Sequence, residues 1–565
     1  MCKSFFLTIA AVVMSFSAKA QTSMFFKSTT NSNPLSASVY CADPTALEYN
    51  GRLYVYGSND HQQFIKNGKK GENKYGDIKS LVVFSTDDMV NWTFHGTIDV
   101  GKICSKWGGS FAASWAPSVT WRTNIIGKPE FFLYFANSGG SVGVLKASSP
   151  VGPWSSPLNG PMITSETPGV KPCNWVFDPG VMIDENGTGW IAFGGGDPNN
   201  QGSDLQPNNA CIAKLKSNMT ALDGKAVKLP APYHFEASEL NIIGGKFVYT
   251  YCSSWRGRND WSKYQKEKGI SVSAPGSCTM CYMVSDDPLK PDSWKYKGVY
   301  GPHPGTSPNN HSHLHKFQGK YYHIYHSGAL LENMKKKNAV DGGASTYRSI
   351  CVNLAAVTES TQKISTVTLN SKGVDPIKKL NPYVKQEAET MATGGGVDYE
   401  HFTNLFKPTE ISNLGNDASN NLLVKMVKNA WTLVRNVDFG TSGATSLSVS
   451  IKGKGVIEVR LGDRTSKPVA TIEATSAYLS DYKVDIDPAL CKGTKDVYFV
   501  CTESSSLQFD SWQFSDEAPD GISVPFVSEP SPSIPRYYDF GGRQLNGKPT
   551  KGFFINGEGK KFWVK

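Results

Sequence analysis

The sequence predicts an all-β protein, a five-bladed β-propeller followed by a jelly-roll β-sandwich. Three observations carry that expectation. Aromatic residues make up 12% of the chain, with 54 Gly and 32 Pro, a mixture that suits short strands joined by many turns. One strand–turn–strand plan recurs five times before about residue 380. Beyond Asn381 that plan stops and a series of longer alternating strands begins. At 565 residues the chain is also too long for one core, so more than one domain is expected.

The repeat reads as follows. Ala42-Asp43-Pro44 leads to Leu53–Tyr56, and Trp115-Ala116-Pro117 leads to Phe131–Phe135. Phe177-Asp178-Pro179 leads to Trp190–Phe193, and Phe235-Glu236-Ala237 leads to Phe247–Tyr251. Asn309-Asn310-His311 leads to Tyr321–His326. Asn50-Gly51, Asn186-Gly187, Gly244-Gly245 and Gln318-Gly319 supply hairpin turns between the paired strands. The starts recur every 60–75 residues or so, a spacing suited to propeller blades with insertions. A second pattern marks the outer half of a blade: Ser85 to Asp88 before Trp92, Ser148 to Pro150 before Trp154, and Ser285 to Pro288 before Trp294. The propeller is expected over residues 33–380.

Residues 381–515 carry alternating strands near Thr432–Phe439, Ser446–Ile451, Val456–Leu461, Asp496–Cys501 and Phe509–Phe514, the texture of one sandwich. Residues 516–535 read as a linker containing Pro525, Pro530, Pro532 and Pro535, and 536–565 as a small β-like piece with Gly-rich turns.

The N-terminus resembles an export signal. Lys3 precedes the apolar run Phe5–Phe16, and Ala18-Lys19-Ala20 offers small residues for cleavage near Ala20. The expected location is secreted, periplasmic or cell-surface. The run is too short to span a bilayer, and no later stretch is long and apolar enough to do so. The net charge of +9 is spread along the chain without a basic block, which argues against a nucleic-acid or membrane partner. The protein is expected to act as a monomer. Export permits disulfides among the remaining cysteines, but sequence leaves their pairing open. Cys278 and Cys281 form a CxxC with no second pair at zinc spacing. Cys41, Cys211, Cys252 and Cys351 fall inside apolar strands, where a thiol acts as a small hydrophobe.

The chemistry concentrates at the blade starts. If they are equivalent, Asp43, Trp115, Asp178, Glu236 and His311 all approach the propeller axis, and three carboxylates meet at one mouth of the channel. Crowding and burial push their pKa values apart, so one group keeps a proton while another acts as a base. Glycoside hydrolysis needs that division: an acid for the leaving oxygen and a carboxylate for water. Glu239, three residues after Glu236, is the competitor for the acid role. An unbroken strand would point it to the opposite face. His313, His315 and His323 are expected to alternate in facing, against a zinc cluster.

These motifs, with Tyr347-Arg348-Ser349-Ile350-Cys351-Val352, resemble family 43 glycoside hydrolases, inverting enzymes on a five-bladed propeller. The resemblance covers about Asn33 to Ile364. It implies Asp43 as general base, Glu236 as general acid and Asp178 as the residue that orients the acid and raises its pKa. It implies substrate contacts from Trp115, as an apolar wall, and from Arg348 and His311. His311 would also touch a water-coordinated calcium. Gln386-Glu387-Ala388-Glu389, Val437-Asp438-Phe439-Gly440 and Phe509–Phe514 resemble a family 6 carbohydrate-binding module. Such modules often hold a structural calcium, here through Glu387, Glu389 and Asp510. Trp431 is equally suited to stacking on a sugar and to core packing. Tyr537–Arg543 through Phe562–Lys565 resembles C-terminal sorting segments of secreted Bacteroidetes proteins.

The expected activity is α-L-arabinofuranosidase on arabinoxylan, with a plant polysaccharide or oligosaccharide as partner and no cofactor for catalysis. β-Xylosidase, β-1,3-galactosidase and endo-arabinanase share the fold and are the alternatives. A non-catalytic polysaccharide-binding protein is a further one, disfavoured because all three acids are present. A nucleotide protein would need a Gly-rich phosphate loop after a strand, which the sequence lacks.

Overall fold

The computed structural model describes residues 25–67, 70–196, 205–255, 258–395, 422–505 and 507–517, with four short strands between 537 and 564. The expected signal peptide and nearly all of the linker lie outside the described residues. No helix among the described residues is long and apolar enough to cross a membrane.

Five antiparallel sheets follow one another along the first part of the chain. Each begins with an innermost strand: Ala42–Tyr49, Trp115–Thr123, Gly180–Ile183, His234–Ile243 and Ser312–Phe317. These five strands touch one another in cyclic order, the first against the second and the fifth, which makes the sheets the blades of a ring. The hairpins close as the turn residues require. Asn50-Gly51, Gly244-Gly245 and Gln318-Gly319 have positive φ at both positions, the type I′ geometry that matches strand twist. The fifth blade has three strands, Ser312–Phe317, Lys320–Ser327 and Ser349–Ala355. The N-terminal segment closes the ring against the last of them: Leu35 N–H donates to Ile350 O at 2.8 Å and Cys41 N–H to Arg348 O at 3.0 Å.

The second module is two facing five-stranded sheets. One contains Ser446–Lys452, Ser480–Asp485 and Leu507–Ser515, the other Trp431–Asp438, Gly455–Leu461, Ala470–Ala474 and Thr494–Ser504. Val434, Val449, Ile457, Phe499, Phe509 and Trp512 fill the space between them. Trp431 is 1% exposed and packs on Phe25 and Tyr498, so it belongs to the core and cannot stack on a sugar.

The two modules are joined closely. Thr390–Met391 adds an edge strand to the first blade, opposite Thr93 and Trp92. Asn91 exchanges a pair of 2.8 Å hydrogen bonds with the Arg435 backbone, and one apolar cluster runs from Trp92 to Trp512. In the C-terminal piece, Tyr537–Tyr538, Gln544–Leu545, Gly552–Asn556 and Lys561–Val564 form a four-stranded sheet.

Candidate active site

The local backbone sets the site. The innermost strands of the first, second and fourth blades break register near their start, between Ala42 and Thr45, Trp115 and Ser118, and Glu236 and Glu239. At the breaks Asp43, Ala116 and Ala237 take positive φ (49°, 39° and 65°), and Asp178 does the same in the third blade at 47°. Such conformations cost non-glycine residues roughly 1–3 kcal/mol each and persist where surroundings over-determine them, commonly at functional sites. The equivalence expected from sequence is therefore offset by one residue. Asp43 and Asp178 align with Ala116 and Ala237, while Trp115 and Glu236 each stand one position earlier. A bulge re-aims a side chain, so the offset still delivers Glu236 to the mouth.

The bulge also corrects the expected position of Glu239. Glu236 pairs with Cys252 and Glu239 with Thr250, and those partners, two apart on a regular strand, face the same side. The pairing therefore puts both glutamates on the same side of the strand. They differ in access: Glu236 keeps 8% exposure and Glu239 is sealed. Glu239 Oε1 lies 3.1 Å from His313 Nδ1, and His313 Nε2 is 3.1 Å from His315 Nδ1. These histidines, two residues apart, share a face rather than alternate. Burial lifts the Glu239 carboxyl and depresses the His313 and His315 imidazoles, so the column is neutral.

Asp43 and Glu236 sit in opposite electrostatic settings. Asp43 is 5% exposed. Burial alone would raise its carboxyl, but Arg348 Nη1, 2.8 Å from Oδ1, outweighs that and holds it far below the usual carboxylate range. Ser58 Oγ donates to Oδ2 at 2.7 Å and is itself held by the Ala116 N–H at 2.9 Å. His326 Nδ1 accepts the Asp43 backbone N–H at 3.0 Å, which assigns the ring proton to Nε2, facing Asn309 O at 3.2 Å. Among the described residues no cation makes an ion pair with Glu236. Burial first, then the charges of Asp178 and Asp43, raise its carboxyl well above normal. Its Oε1 is buried with no hydrogen-bond partner among the described residues.

Asp178 is raised by burial and by Asp43. Its Oδ2 accepts the Ala237 N–H at 3.0 Å, which fixes it to the residue next to Glu236. His311 Nδ1 stands 3.8 Å from both Asp43 Oδ1 and Asp178 Oδ2, and burial lowers its imidazole to about 4, so it is neutral between them. Trp115 is half-buried at the same mouth, its indole N–H donating to Tyr75 O at 2.8 Å.

Arg348 occupies a different place from an open donor for sugar hydroxyls. It is 3% exposed. Its Nε and Nη2 bind Asp60 at 2.9 Å each, its Nη1 binds Asp43, and its guanidinium stacks on Tyr75 at 4.5 Å. Asp60, fully buried at the start of helix Asp60–Asn67, also accepts the Arg348 backbone N–H at 2.9 Å. Sequence reasoning missed Asp60, Ser58 and His326. His326 stood at the end of an aromatic strand and gave a signal of sorts; the Asp60–Arg348 pair joins opposite ends of the propeller and gave none.

The expected calcium ligands are only partly assembled. Glu387 lies opposite Ser511, its Oε2 buried without a hydrogen-bond partner among the described residues, and its carboxyl is raised by burial and by Asp510. Asp510 accepts from Ser511 Oγ at 2.7 Å and meets Lys385 at 3.7 Å; Glu389 is fully buried. Among the described residues no group of three or more His, Cys, Asp or Glu side chains is placed to hold a metal ion, here or at the axis. The donor set as described does not fit calcium, and no chemical step depends on one.

Residues 31–359 match Glycosyl hydrolases family 43, and residues 387–516 match Carbohydrate binding module (family 6). An arabinoxylan arabinofuranohydrolase of Bacillus subtilis (strain 168) is 36% identical over 86% of this chain and 92% of its own length. Its namesake from Paenibacillus polymyxa is 35% identical over 86% of this chain and 74% of its own. A crystal structure of a Bacillus subtilis family 43 arabinoxylan arabinofuranohydrolase, in complex with cellotetraose, superposes with a TM-score of 0.75 at 34% identity. It covers 87% of this chain and 99% of that one. With its ring of five sheets, its axial carboxylates and a match over more than half its length, the chain belongs to glycosyl hydrolase family 43 and carries a family 6 carbohydrate-binding module.

Proposed function

We propose that the protein is an inverting α-L-arabinofuranosidase that removes arabinose side chains from arabinoxylan. The observation that carries the reaction class is the opposed ionisation of Asp43 and Glu236 at one mouth. Similarity over 86% of the chain to arabinoxylan arabinofuranohydrolases supports the substrate. Asp43, kept ionised by Arg348, takes a proton from water as that water attacks the anomeric carbon. Glu236, kept protonated by burial and by Asp178, gives its proton to the leaving glycosidic oxygen. Asp178 is a positioning residue, holding Glu236 through the Ala237 N–H and through repulsion that discourages early loss of the proton. Trp115 offers an apolar wall, and neutral His311 a polar neighbour for sugar hydroxyls.

The apolar run Phe5–Phe16 and Ala18-Lys19-Ala20 support export, consistent with a polymeric substrate that cannot enter a cell. The test is a panel of aryl glycosides and wall polysaccharides with chromatographic product analysis. Free arabinose from arabinoxylan is the expected product. Xylose alone, arabino-oligosaccharides alone, or no product would contradict the reading.

A further inference from the structure

Glu236 Oε1 is buried without a hydrogen-bond partner among the described residues, so the aim of this carboxyl rests on the backbone that carries it. His234 stands two residues before Glu236 and Ser238 two residues after it, both sealed and both on strand His234–Ile243. Tyr249, on the next strand of the blade, Lys246–Ser253, joins them. Its hydroxyl is 2.8 Å from His234 Nε2 and 3.0 Å from Ser238 Oγ. On the other side of the ring, His234 Nδ1 is 2.9 Å from Oδ1 of Asn209, which is 1% exposed and precedes strand Cys211–Lys214 of the third blade.

The partners assign every proton in this chain. Asn209 Nδ2 donates to two carbonyls, that of Gly196 and, at 3.1 Å, that of His234, so Asn209 Oδ1 is an acceptor. His234 Nδ1 must then carry the ring proton. Burial lowers this imidazole to about 3, so it is neutral and its Nε2 accepts. Tyr249 therefore donates to His234 and accepts from Ser238, and burial raises its phenol, which keeps the proton in place. A buried network satisfied in this way is rigid and admits one arrangement. The backbone is tied as well: Gly196 N–H donates to Phe235 O at 2.8 Å, and Ala237 N–H to Asp178 Oδ2 at 3.0 Å. His234, Phe235, Ala237 and Ser238 are each held by a fixed group, and Glu236 is carried between them.

We propose that Ser238, Tyr249, His234 and Asn209 are positioning residues for the general acid: their one-way hydrogen-bond chain fixes the bulge and, through it, the reach of the Glu236 carboxyl to the leaving glycosidic oxygen. The inference rests on the reading of Glu236 as the proton donor. All four residues are sealed, so they act through the backbone and not by touching the sugar. Breaking the chain should therefore harm proton donation and little else. Proton donation matters most for a basic leaving group. A methyl glycoside must leave as an alkoxide unless its oxygen is protonated, whereas a nitrophenyl glycoside leaves as a stabilised phenolate.

The experiment measures kcat and KM on methyl and nitrophenyl α-L-arabinofuranosides for the full chain and its Tyr249→Phe, Ser238→Ala and Glu236→Gln variants. Glu236→Gln sets the scale, with a loss far greater on the methyl glycoside. Tyr249→Phe should show the same bias: kcat on the methyl glycoside falls by up to about 10²-fold, while the nitrophenyl rate and both KM values stay near the parent. Ser238→Ala, which frees only the last link, should show the bias more weakly. The ratio of the two rates in one sample does not depend on the folded fraction, so partial unfolding cannot imitate the result. Equal losses on both substrates, or no loss on either, in Tyr249→Phe and Ser238→Ala would overturn the proposal while Glu236→Gln keeps its bias. A Glu236→Gln variant without the bias would overturn instead the assignment of the proton donor.

Discussion

The axis of the propeller and the interior of the sandwich are buried to the same degree and made of opposite materials. Between the sandwich sheets lie Val434, Val449, Ile457, Phe499 and Phe509. Around the propeller axis lie Asp43, Asp60, Asp178, Glu236, Glu239, Arg348, His311, His313 and His326, all below one tenth exposed. Apolar burial stabilises by area at about 25 cal/mol per Å². Buried charge contributes only when paired, and leaving one partner uncompensated costs several kcal/mol. The sandwich thus supplies stability, whereas the axis spends it on holding two carboxyls in opposite protonation states.

The contrast predicts where substitutions act. The largest effect should come from Glu236→Gln and Asp43→Asn, each lowering kcat on the order of 10²–10⁴-fold. The thermal transition should stay near that of the parent for Glu236→Gln and fall for Asp43→Asn, which takes one of its two carboxylates from Arg348. A wild-type rate for either would remove that role. Arg348→Met should rank next. It leaves Asp43 and Asp60 buried without their cation, a loss of about 3–5 kcal/mol in stability measured by denaturant unfolding. In any folded fraction the acid limb of the pH–rate profile should move upward, because Asp43 loses the charge that keeps it ionised. An unchanged acid limb would show that Arg348 does not set the state of Asp43.

Ending the chain after Asn381 tests the sandwich directly. It removes the edge strand on Thr93 and Trp92 and the Arg435 backbone that binds Asn91. Thermal stability should fall, while the rate on a small aryl arabinofuranoside should persist, since every axial residue precedes that point. A folded, stable but inactive truncation would mean that the sandwich completes the site. The smallest effect belongs to Glu239→Gln. A carboxyl whose folded pKa is raised contributes stability that is present below its unfolded value and lost as pH rises through the folded one. The parent melting temperature should therefore decline more steeply than that of the variant above about pH 5, with little change in rate.

How much of this was written in the chain follows the same division. The expected sandwich strands, such as Ser446–Lys452 and Gly455–Leu461, hold to within a few residues, whereas Ala470–Ala474 and Ser480–Asp485 were not anticipated although Ala470–Ala474 alternates buried and exposed. The blades were legible from their turns and repeated starts. At those starts, however, the positive-φ bulges break the period of two. A reading based on alternation sent Glu239 to the wrong face and placed Asp43 and Glu236 in one register. The partners of Arg348 were not legible for another reason. A lone arginine next to Tyr347 carries no trace of Asp60, which lies 288 positions away and meets it only because the ring closes. Long-range charge pairing is a product of topology, and local sequence has no signal for it.

The central claim is that an ionised Asp43 activates water while a protonated Glu236 releases the leaving group. Stereochemistry tests it most directly. Proton NMR of the first arabinose released from an α-linked substrate, recorded before mutarotation, should show the β-anomer, because water attacks the face opposite the bond that breaks. Initial appearance of the α-anomer, or a trapped glycosyl ester on Asp43, would contradict the account.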